Sequence, residues 1–301
     1  MFKKRSKKKS KKKLLYIFFL LGIFLSFKLL NKSKIEISNK EFSKMIISNT
    51  FIEKENILEK VVKKTKEVAN PVKVLQNNYQ TFLEVPEESK DEKKETEPIV
   101  YLYNSHPTEE YLASTYAEFS VNPTVIINNY ILEDILDKNN IETIVEEQSV
   151  TDILKNNNWK YYESYRASRI LLEESIVKYP TLKYFIDIHR DSLEREKTTY
   201  QLNDKDYAKI IFIVGLENKN YQNNLELTER INQKLNEKYP GLSKGILQKK
   251  GAGVNGVYNQ DFSPNTILVE IGGYQNNTTE VLNTTLAFAD CFMEVINEES
   301  V

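Results

Sequence analysis

The segment YFIDIHRDS, residues 184–192, is an apolar run that ends in charged and polar side chains. Its apolar part is short and follows a helix-like pattern near residues 163–178, so it predicts a buried strand that ends at His189. Short apolar runs of this kind alternate with longer helical patterns from Pro98 onward. The alternation predicts an α/β fold, a single domain with a mostly parallel twisted sheet flanked by helices.

Hydrophobic periodicity places the individual elements along the chain. Strands are expected near residues 99–105, 141–146, 183–189, 209–215 and 265–271, and helices near residues 124–139, 163–178, 221–238 and 278–297. The predicted domain, residues 98–301, is long enough to bury a core without disulfides. Cys291 is the only cysteine of the chain, which excludes both an internal disulfide and a thiolate metal cluster.

The N-terminal part of the chain predicts a membrane anchor. Nine of the first thirteen residues are Lys or Arg, and an apolar run, residues 14–30, follows them directly. A basic flank before a spanning helix predicts a cytoplasmic N terminus and an exported remainder. We therefore expect a basic cytoplasmic segment (1–13), a single-pass transmembrane anchor in the cell membrane (14–30), a stalk or linker (31–97) and an extracytoplasmic catalytic domain (98–301).

Two alternatives exist for this N-terminal pattern, nucleic-acid binding by the basic run and a cleaved signal peptide. Membrane insertion explains the basic and apolar features together, so no nucleic-acid partner is expected. No small-x-small cleavage site follows Leu30. Within the predicted stalk, a candidate helix near residues 40–68 precedes a charged stretch, residues 87–97, which predicts a flexible linker because it cannot bury enough apolar surface to pack.

The chain has two histidines, and each lies at the end of a predicted strand. His106 follows the first strand and precedes Glu109, while His189 ends the run quoted above. Polar residues just beyond the carboxyl ends of strands line the ligand crevice of α/β sheets. Because imidazole and carboxylate ligands can hold zinc with one position open for water, His106, Glu109 and His189 are candidate zinc ligands. The alternative is that each histidine is a hydrogen-bonded core residue.

Glu270 lies in the apolar run near residues 265–271 and precedes two glycines. Burying a carboxylate at such a place is costly unless it is paired or functional. Glu270 is therefore the candidate catalytic base, which would take a proton from water and deliver it to a leaving amine. A salt-bridged glutamate at a strand end is the alternative.

The glycine-rich segment at residues 251–261 is a candidate substrate loop. It lacks the lysine and the glycine spacing of phosphate-binding loops, and its Asn259, Gln260 and Asp261 offer polar partners to a peptide or a sugar. Arg190 and the segment YRAS at residues 165–168 are further candidates for binding acidic or carbonyl groups of a substrate. The alternatives are a plain structural turn for the loop, and helix-face or supporting roles for residues 165–168 and Arg190.

Several motifs of the chain, taken in order, resemble those of one known family. They are YNSHPTE at residues 103–109, DIHRDS at 187–192, YPGLSKG at 239–245, YNQD at 258–261 and EIGG at 270–273. This set resembles the stage II sporulation protein P family, membrane-anchored cell-wall hydrolases of endospore-forming bacteria. The resemblance covers about residues 98–297.

The resemblance implies a zinc-dependent N-acetylmuramoyl-L-alanine amidase with a fold like that of zinc amidases and carboxypeptidases, able to cleave peptide cross-links as well. It implies peptidoglycan as the substrate, a role in septal wall thinning and forespore engulfment during sporulation, and stage II sporulation proteins D and M as partners. By carry-over at matching positions, His106 and His189 would bind zinc and Glu270 would be catalytic, and Glu109 fits as the acidic ligand. Lys244 stands where the family usually has Arg, which bears on substrate detail rather than on the chemistry.

The sequence is also consistent with two other functions. A zinc carboxypeptidase or endopeptidase acting on wall peptides would use the same ligand set and the same catalytic glutamate. An inactive, membrane-tethered wall-binding module would bind no zinc at all.

Overall fold

The computed structural model describes residues 35–52, 97–112, 119–120 and 122–299. The predicted basic segment and anchor lie outside these ranges, and so does most of the predicted stalk, residues 53–96. In the described part of the chain, no helix combines the length and the apolar character needed to cross a bilayer.

The strands and helices have the following bounds. The strands are β1 Ile35–Glu36, β2 Val100–Tyr103, β3 Phe119–Ser120, β4 Thr143–Val145, β5 Tyr184–Asp191, β6 Thr199–Leu202, β7 Lys205–Ala208, β8 Ile210–Gly215, β9 Ser243–Lys249 and β10 Thr266–Gly273. The α-helices are α1 Asn39–Ile52, α2 Ile126–Lys138, α3 Val150–Asn156, α4 Ser164–Lys178, α5 Arg195–Thr198, α6 Tyr221–Lys238 and α7 Thr278–Glu298, and a 3-10 turn, Tyr161–Glu163, precedes α4.

A six-stranded sheet with the order β4-β2-β5-β10-β8-β9 forms the centre of the larger of two compact units. Strands β4, β2, β5 and β10 run parallel to one another, whereas β8 runs antiparallel to β10 and β9 runs parallel to β8. The prediction of an α/β fold with a mostly parallel sheet is confirmed. In the smaller unit, β1 and β3 pair in parallel with each other.

Helices cover both faces of the central sheet. Phe185 of β5 packs with Leu172 of α4 on one face. Its neighbour Tyr184 points to the other face, where its ring centroid lies 5.6 Å from that of Phe292 in α7. Because successive side chains of a strand alternate between faces, β5 is buried from both sides, which explains why its sequence reads as a continuous apolar run.

The strands and helices predicted between residues 98 and 301 are all present, with small differences at the ends. The candidate helix near residues 40–68 is present as α1 up to Ile52, and residues 53–68 lie outside the described ranges. The described residues also contain elements that the sequence did not indicate, among them α3, the β6–β7 hairpin and the edge strand β9. Strand β9 is exposed or half-buried along its whole length. It therefore has no apolar run from which a strand could be predicted.

Helix α1 lies within the segment predicted as a stalk, and it packs against α2. Phe42, Ile46 and Ile47 of α1 are buried, and the hydroxyl of Ser43 donates a hydrogen bond to the carbonyl oxygen of Ile127 at 3.3 Å. A helix was predicted here as part of a stalk, and its packing against α2 was not expected. The other boundaries proposed for the N-terminal part stay predictions.

Candidate metal centre

The candidate site lies where three parallel strands reach the same edge of the sheet. His106 follows β2, His189 lies near the carboxyl end of β5, and Glu270 lies in β10 directly opposite His189 in the strand register. Neighbouring parallel strands deliver their carboxyl ends to one edge, which is where α/β sheets bind ligands. The fold thus gathers residues that are far apart in the sequence.

The structure brings His106, Glu109 and His189 together. One ligand atom from each residue lies within 4.8 Å of the others. The Nδ1 atom of His106 is 3.8 Å from Oε1 of Glu109, and Nδ1 of His189 is 3.5 Å from Oε2 of the same carboxylate. The two imidazole rings are nearly perpendicular, with centroids 5.0 Å apart. Each ring has its Nδ1 atom on the side of Glu109.

Glu109 is held by backbone contacts on both sides of the site. Its Oε2 accepts a hydrogen bond from the backbone N–H of Arg190 at 3.0 Å, and its carbonyl accepts the N–H of Val125 at 2.9 Å. The guanidinium of Arg190, predicted as a substrate group, donates from Nε to the carbonyl of Glu110 at 2.8 Å. Arg190 thereby fixes the loop that carries Glu109.

The second nitrogen of His189 faces a buried carboxylate. Its Nε2 atom is 3.0 Å from Oδ1 of Asp187 and 3.0 Å from the hydroxyl of Ser105. Asp187 is fully buried and also accepts the backbone N–H of Ser105 at 2.9 Å. A histidine that binds a metal through one nitrogen commonly donates its other N–H to a carboxylate, and the Asp187–His189 pair has this arrangement.

Burial and mutual charge shift the pKa values of these side chains. Burial, with the charge of His189, lowers the pKa of His106. Burial alone would raise the pKa of Glu109, but the hydrogen bond and charge of His189 hold it below its usual value. Burial alone would lower the pKa of His189, but the charge and hydrogen bond of Asp187 raise it to about 10. The carboxylates of Asp187 and Glu109 therefore favour a positive charge at His189.

The donor set fits a zinc ion. Imidazole nitrogens and a carboxylate oxygen are ligands that zinc prefers, and three protein ligands are typical of catalytic zinc sites. The buried Asp187 behind His189 supplies the supporting carboxylate that such sites use. His106, Glu109 and His189 are therefore the residues that would hold the ion.

Glu270 lies beside this cluster and has no side-chain hydrogen bond among the described residues. Burial, with the charge of Asp191, raises its pKa to about 7. Asp191 itself is paired with Lys244, whose Nζ lies 2.8 Å from Oδ2. Glu270 is thus an unpaired, largely desolvated carboxyl group next to His189, and it is not the salt-bridged glutamate of the alternative interpretation.

The side-chain amides of two of the three candidate residues tie the predicted substrate loop to the fold by hydrogen bonds. Asn259 donates from Nδ2 to the carbonyl of Tyr165 at 2.9 Å and to the hydroxyl of Ser168 at 3.0 Å. Gln260 donates to the carbonyl of Ile213 at 2.7 Å and accepts the N–H of Gly215 at 2.8 Å. These amides anchor the loop to α4 and β8, so substrate binding by Asn259 or Gln260 stays a prediction.

The same loop also contacts α4 through Asp261, and its backbone approaches strand β8 closely. The carboxylate of Asp261 pairs with Arg169 of α4 at 2.9 Å. A Cβ atom at Gly215 would lie 2.3 Å from the carbonyl oxygen of Gly256, so the loop can close over β8 only because residue 215 is glycine. The loop is an anchored structure with Asp261 at its surface.

Two aromatic residues lie beside His106, namely Tyr165, which belongs to a predicted substrate-contact segment, and Tyr161, which the sequence did not indicate. The ring of Tyr161 stacks on His106 with centroids 4.8 Å apart, and the ring of Tyr165 meets it edge-on at 5.3 Å. Tyr161 lies in the 3-10 turn before α4 and Tyr165 in its first turn, and their spacing of four residues was the available signal.

The chain matches a known protein family. The family profile described as Stage II sporulation protein P matches residues 21–293. Stage II sporulation protein P of Bacillus subtilis (strain 168) is 33% identical over 215 residues, which are 68% of this chain and 54% of that protein. The chain spans about half the length of this curated relative.

Two solved structures are similar in fold. The CwlD amidase from Clostridioides difficile, in complex with the GerS lipoprotein, is 13% identical with a TM-score of 0.44, and the match covers 66% of this chain and 98% of that one. The N-acetylmuramoyl-L-alanine amidase AmiC2 of Nostoc punctiforme is 10% identical with a TM-score of 0.38, and the match covers 66% of this chain and 97% of that one.

Proposed function

The chain belongs to the stage II sporulation protein P family, and from that premise we propose that it is a zinc-dependent hydrolase of peptidoglycan. The bond it cleaves is the amide between N-acetylmuramic acid and L-alanine. The observation that carries the proposal is the convergence of His106, Glu109 and His189, whose ligand atoms lie within 4.8 Å of one another, next to the unpaired carboxyl group of Glu270.

The residues of the chain have distinct tasks in this reaction. A zinc ion supplies Lewis acidity, which activates water and polarises the amide carbonyl. His106, Glu109 and His189 would hold the ion, and Asp187 keeps the remaining N–H of His189 engaged so that Nδ1 faces Glu109. Glu270 takes the proton of the attacking water and delivers it to the leaving nitrogen.

The test uses the purified full chain, its zinc content and its reaction products on cell walls. We expect bound zinc and a chelator-sensitive release of stem peptides with new muramyl lactyl groups. His106→Ala should lose both zinc and hydrolysis. Glu270→Gln should keep zinc and lose hydrolysis by roughly a hundredfold or more, because proton transfer typically contributes that much.

The matched control is Glu298→Gln, a half-exposed residue of α7 whose carboxylate pairs with Lys234 at 2.8 Å. It should keep both zinc and hydrolysis. Undiminished hydrolysis in His106→Ala would contradict the zinc assignment. Split cross-links or free D-amino acids without new lactyl groups would show that the enzyme is an endopeptidase or carboxypeptidase instead.

We place this activity on the outer side of the cell membrane, in septal wall thinning and forespore engulfment, with stage II sporulation proteins D and M as partners. Family membership supports the setting, and the apolar run at residues 14–30 with its basic flank supports the anchor. Affinity capture of the full chain from detergent-solubilised sporulating cells should recover both partners. Recovery of the chain without either partner would contradict this assignment.

A further inference from the structure

A groove of about 470 Å³ lies between α4 and the loop at residues 255–261. Its walls include Trp159, Tyr165, Arg166, Arg169, Asn255 and Asp261. None of these side chains belongs to the cluster of candidate zinc ligands. The groove is therefore a feature that the proposed hydrolysis does not yet use.

Tyr165 connects the groove with the metal centre. Its ring is one wall of the groove, and its centroid lies 5.3 Å from that of His106 and 6.4 Å from that of His189. Tyr165 is therefore adjacent both to the candidate metal ligands and to the groove.

Arg166 presents a guanidinium group that lies over an aromatic ring before any ligand binds. Its guanidinium carbon lies 3.8 Å from the ring centroid of Trp159, and its side chain is 62% exposed. Its ion pair joins it to Glu163, three residues earlier, at 3.1 Å. Because such surface pairs contribute little to stability, a carboxylate that engages the guanidinium with two hydrogen bonds can displace Glu163.

Arg169 has a different role in the same groove. Its guanidinium pairs with Glu173 at 3.0 Å and with Asp261 at 2.9 Å, so its charge is matched by two carboxylates. The pair with Asp261 ties α4 to the loop across the groove, whereas Glu173 belongs to α4 itself. Arg166, with one weak partner, is the cation that a ligand can engage.

We propose that this groove holds the carboxylate-bearing peptide limb of the substrate, with Arg166 stacked on Trp159 as the binding group. The inference rests on the proposed function, in which the metal centre cleaves the amide at the end of that limb. The planar guanidinium fork matches the geometry of a carboxylate. Its stacking on Trp159 reduces the ordering cost of binding.

A sugar is the less suitable occupant of the groove. Sugar rings bind to bare aromatic faces, but Arg166 lies over the ring of Trp159. The exposed aromatic side chains nearby, Tyr161 at 56% and Tyr162 at 79% exposure, lie in the 3-10 turn before α4 and are not walls of the groove. The groove offers hydrogen-bond donors, which a peptide acid uses better than a glycan.

Trp159 is the only tryptophan of the chain, so fluorescence excited at a wavelength that tyrosine does not absorb reports on the groove. The experiment titrates the full chain carrying Glu270→Gln with the isolated stem tripeptide L-Ala-γ-D-Glu-diaminopimelate. We expect a saturable change in Trp159 fluorescence. Arg166→Gln should weaken binding at least tenfold, Arg166→Lys should weaken it less, and the tripeptide with esterified carboxyl groups should not bind.

The matched control is Arg230→Gln, which removes an arginine of α6 that pairs with Glu298 at 3.5 Å, away from the groove. It should bind the tripeptide with unchanged affinity. Calorimetry supplies the affinities where a substitution alters the fluorescence itself. Unchanged affinity in Arg166→Gln, absence of binding to the parent protein, or a saturable response to peptide-free glycan strands instead would overturn the proposal.

Failure of this proposal and failure of the proposed function give different results. Zinc content and hydrolysis are measured on the protein with Glu270 intact, whereas the titration needs no hydrolysis. Zinc-dependent hydrolysis without tripeptide binding rejects the groove alone. Tripeptide binding without zinc or hydrolysis rejects the proposed function and leaves the groove as a peptide site.

Discussion

The carboxylate of Asp187 shows how a single buried residue prepares the metal centre. It lies 3.0 Å from Nε2 of His189 and accepts the backbone N–H of Ser105 at 2.9 Å, while its Oδ2 atom is buried without a hydrogen-bond partner among the described residues. Burying this charge carries a desolvation cost. The cost is offset by its contacts, which fix the nitrogen of His189 that carries the proton.

We expect Asp187→Asn to lower zinc affinity by about tenfold to a hundredfold, the range seen when supporting partners of metal ligands are replaced. The amide is neutral and can turn its NH₂ group toward Nε2, which would move the histidine proton to the side that faces Glu109. Competition with a chelating dye measures the affinity. Asp134→Asn, in a partly exposed residue paired with Lys138, is the control, and equal affinities in the two variants would contradict the role of Asp187.

For single residues, the sequence identifies the chemical type of a side chain but does not indicate which neighbours that side chain contacts. His106, His189 and Glu270 could be placed because each lies near the end of an apolar run. Gln260 was predicted to bind substrate, but its amide bonds to the backbone of β8. Asp187 shares a strand face with His189 at a spacing of two residues, and that relation becomes informative only once the strand is established.

Helix α1 is the element whose role differs most from the sequence-based expectation. It was placed in a stalk because the surrounding segment is rich in charge. Its buried residues Phe42, Ile46 and Ile47 face α2, and Asn39 exchanges hydrogen bonds with Thr124 at the start of the helix. The sequence predicted a helix from about residue 40, but it did not indicate that this helix packs against α2.

Replacing Phe42 with Ala tests whether α1 is part of the folded unit. The side chain is fully buried, so its loss should lower the free energy of unfolding by about 3–5 kcal/mol, the usual cost of a buried Phe-to-Ala change. Thermal or urea unfolding of the full chain measures the effect. Lys44→Ala, on the exposed side of the same helix, should change stability little, and equal stability of both variants would mean that α1 does not support the fold.

The other elements divide according to how deeply they are buried. Strands β2, β5 and β10 are buried along most of their length, so their apolar runs predicted them. Strand β9 and the β6–β7 hairpin are partly exposed, and their mixed sequences carried no strand signal. Burial on both faces is what makes a strand visible in a sequence.

For the whole molecule, the sheet order decides which distant residues meet. Strands β2, β5 and β10 are neighbours in the sheet, and this brings His106, His189 and Glu270 to one edge. The mostly parallel sheet was predicted from the alternation of strands and helices. The reversed direction of β8 was not, because an apolar run has no direction and the turn into β8 passes through the unpredicted hairpin.

The metal centre should also couple zinc binding to the stability of the whole fold. His106 and Glu109 follow β2 whereas His189 belongs to β5, so the three ligands come together only in the folded chain. A ligand that binds the folded state alone stabilises it by about 2.7 kcal/mol at a hundredfold excess over its dissociation constant, which for a domain of this size corresponds to a rise in Tm of about 5–10 °C. We therefore expect the chelator-stripped full chain to melt at a lower temperature than the zinc-loaded one, while magnesium, which prefers oxygen ligands, has no such effect. In His189→Ala the difference should disappear, and an equal rise on adding zinc to that variant would show that the ion binds elsewhere.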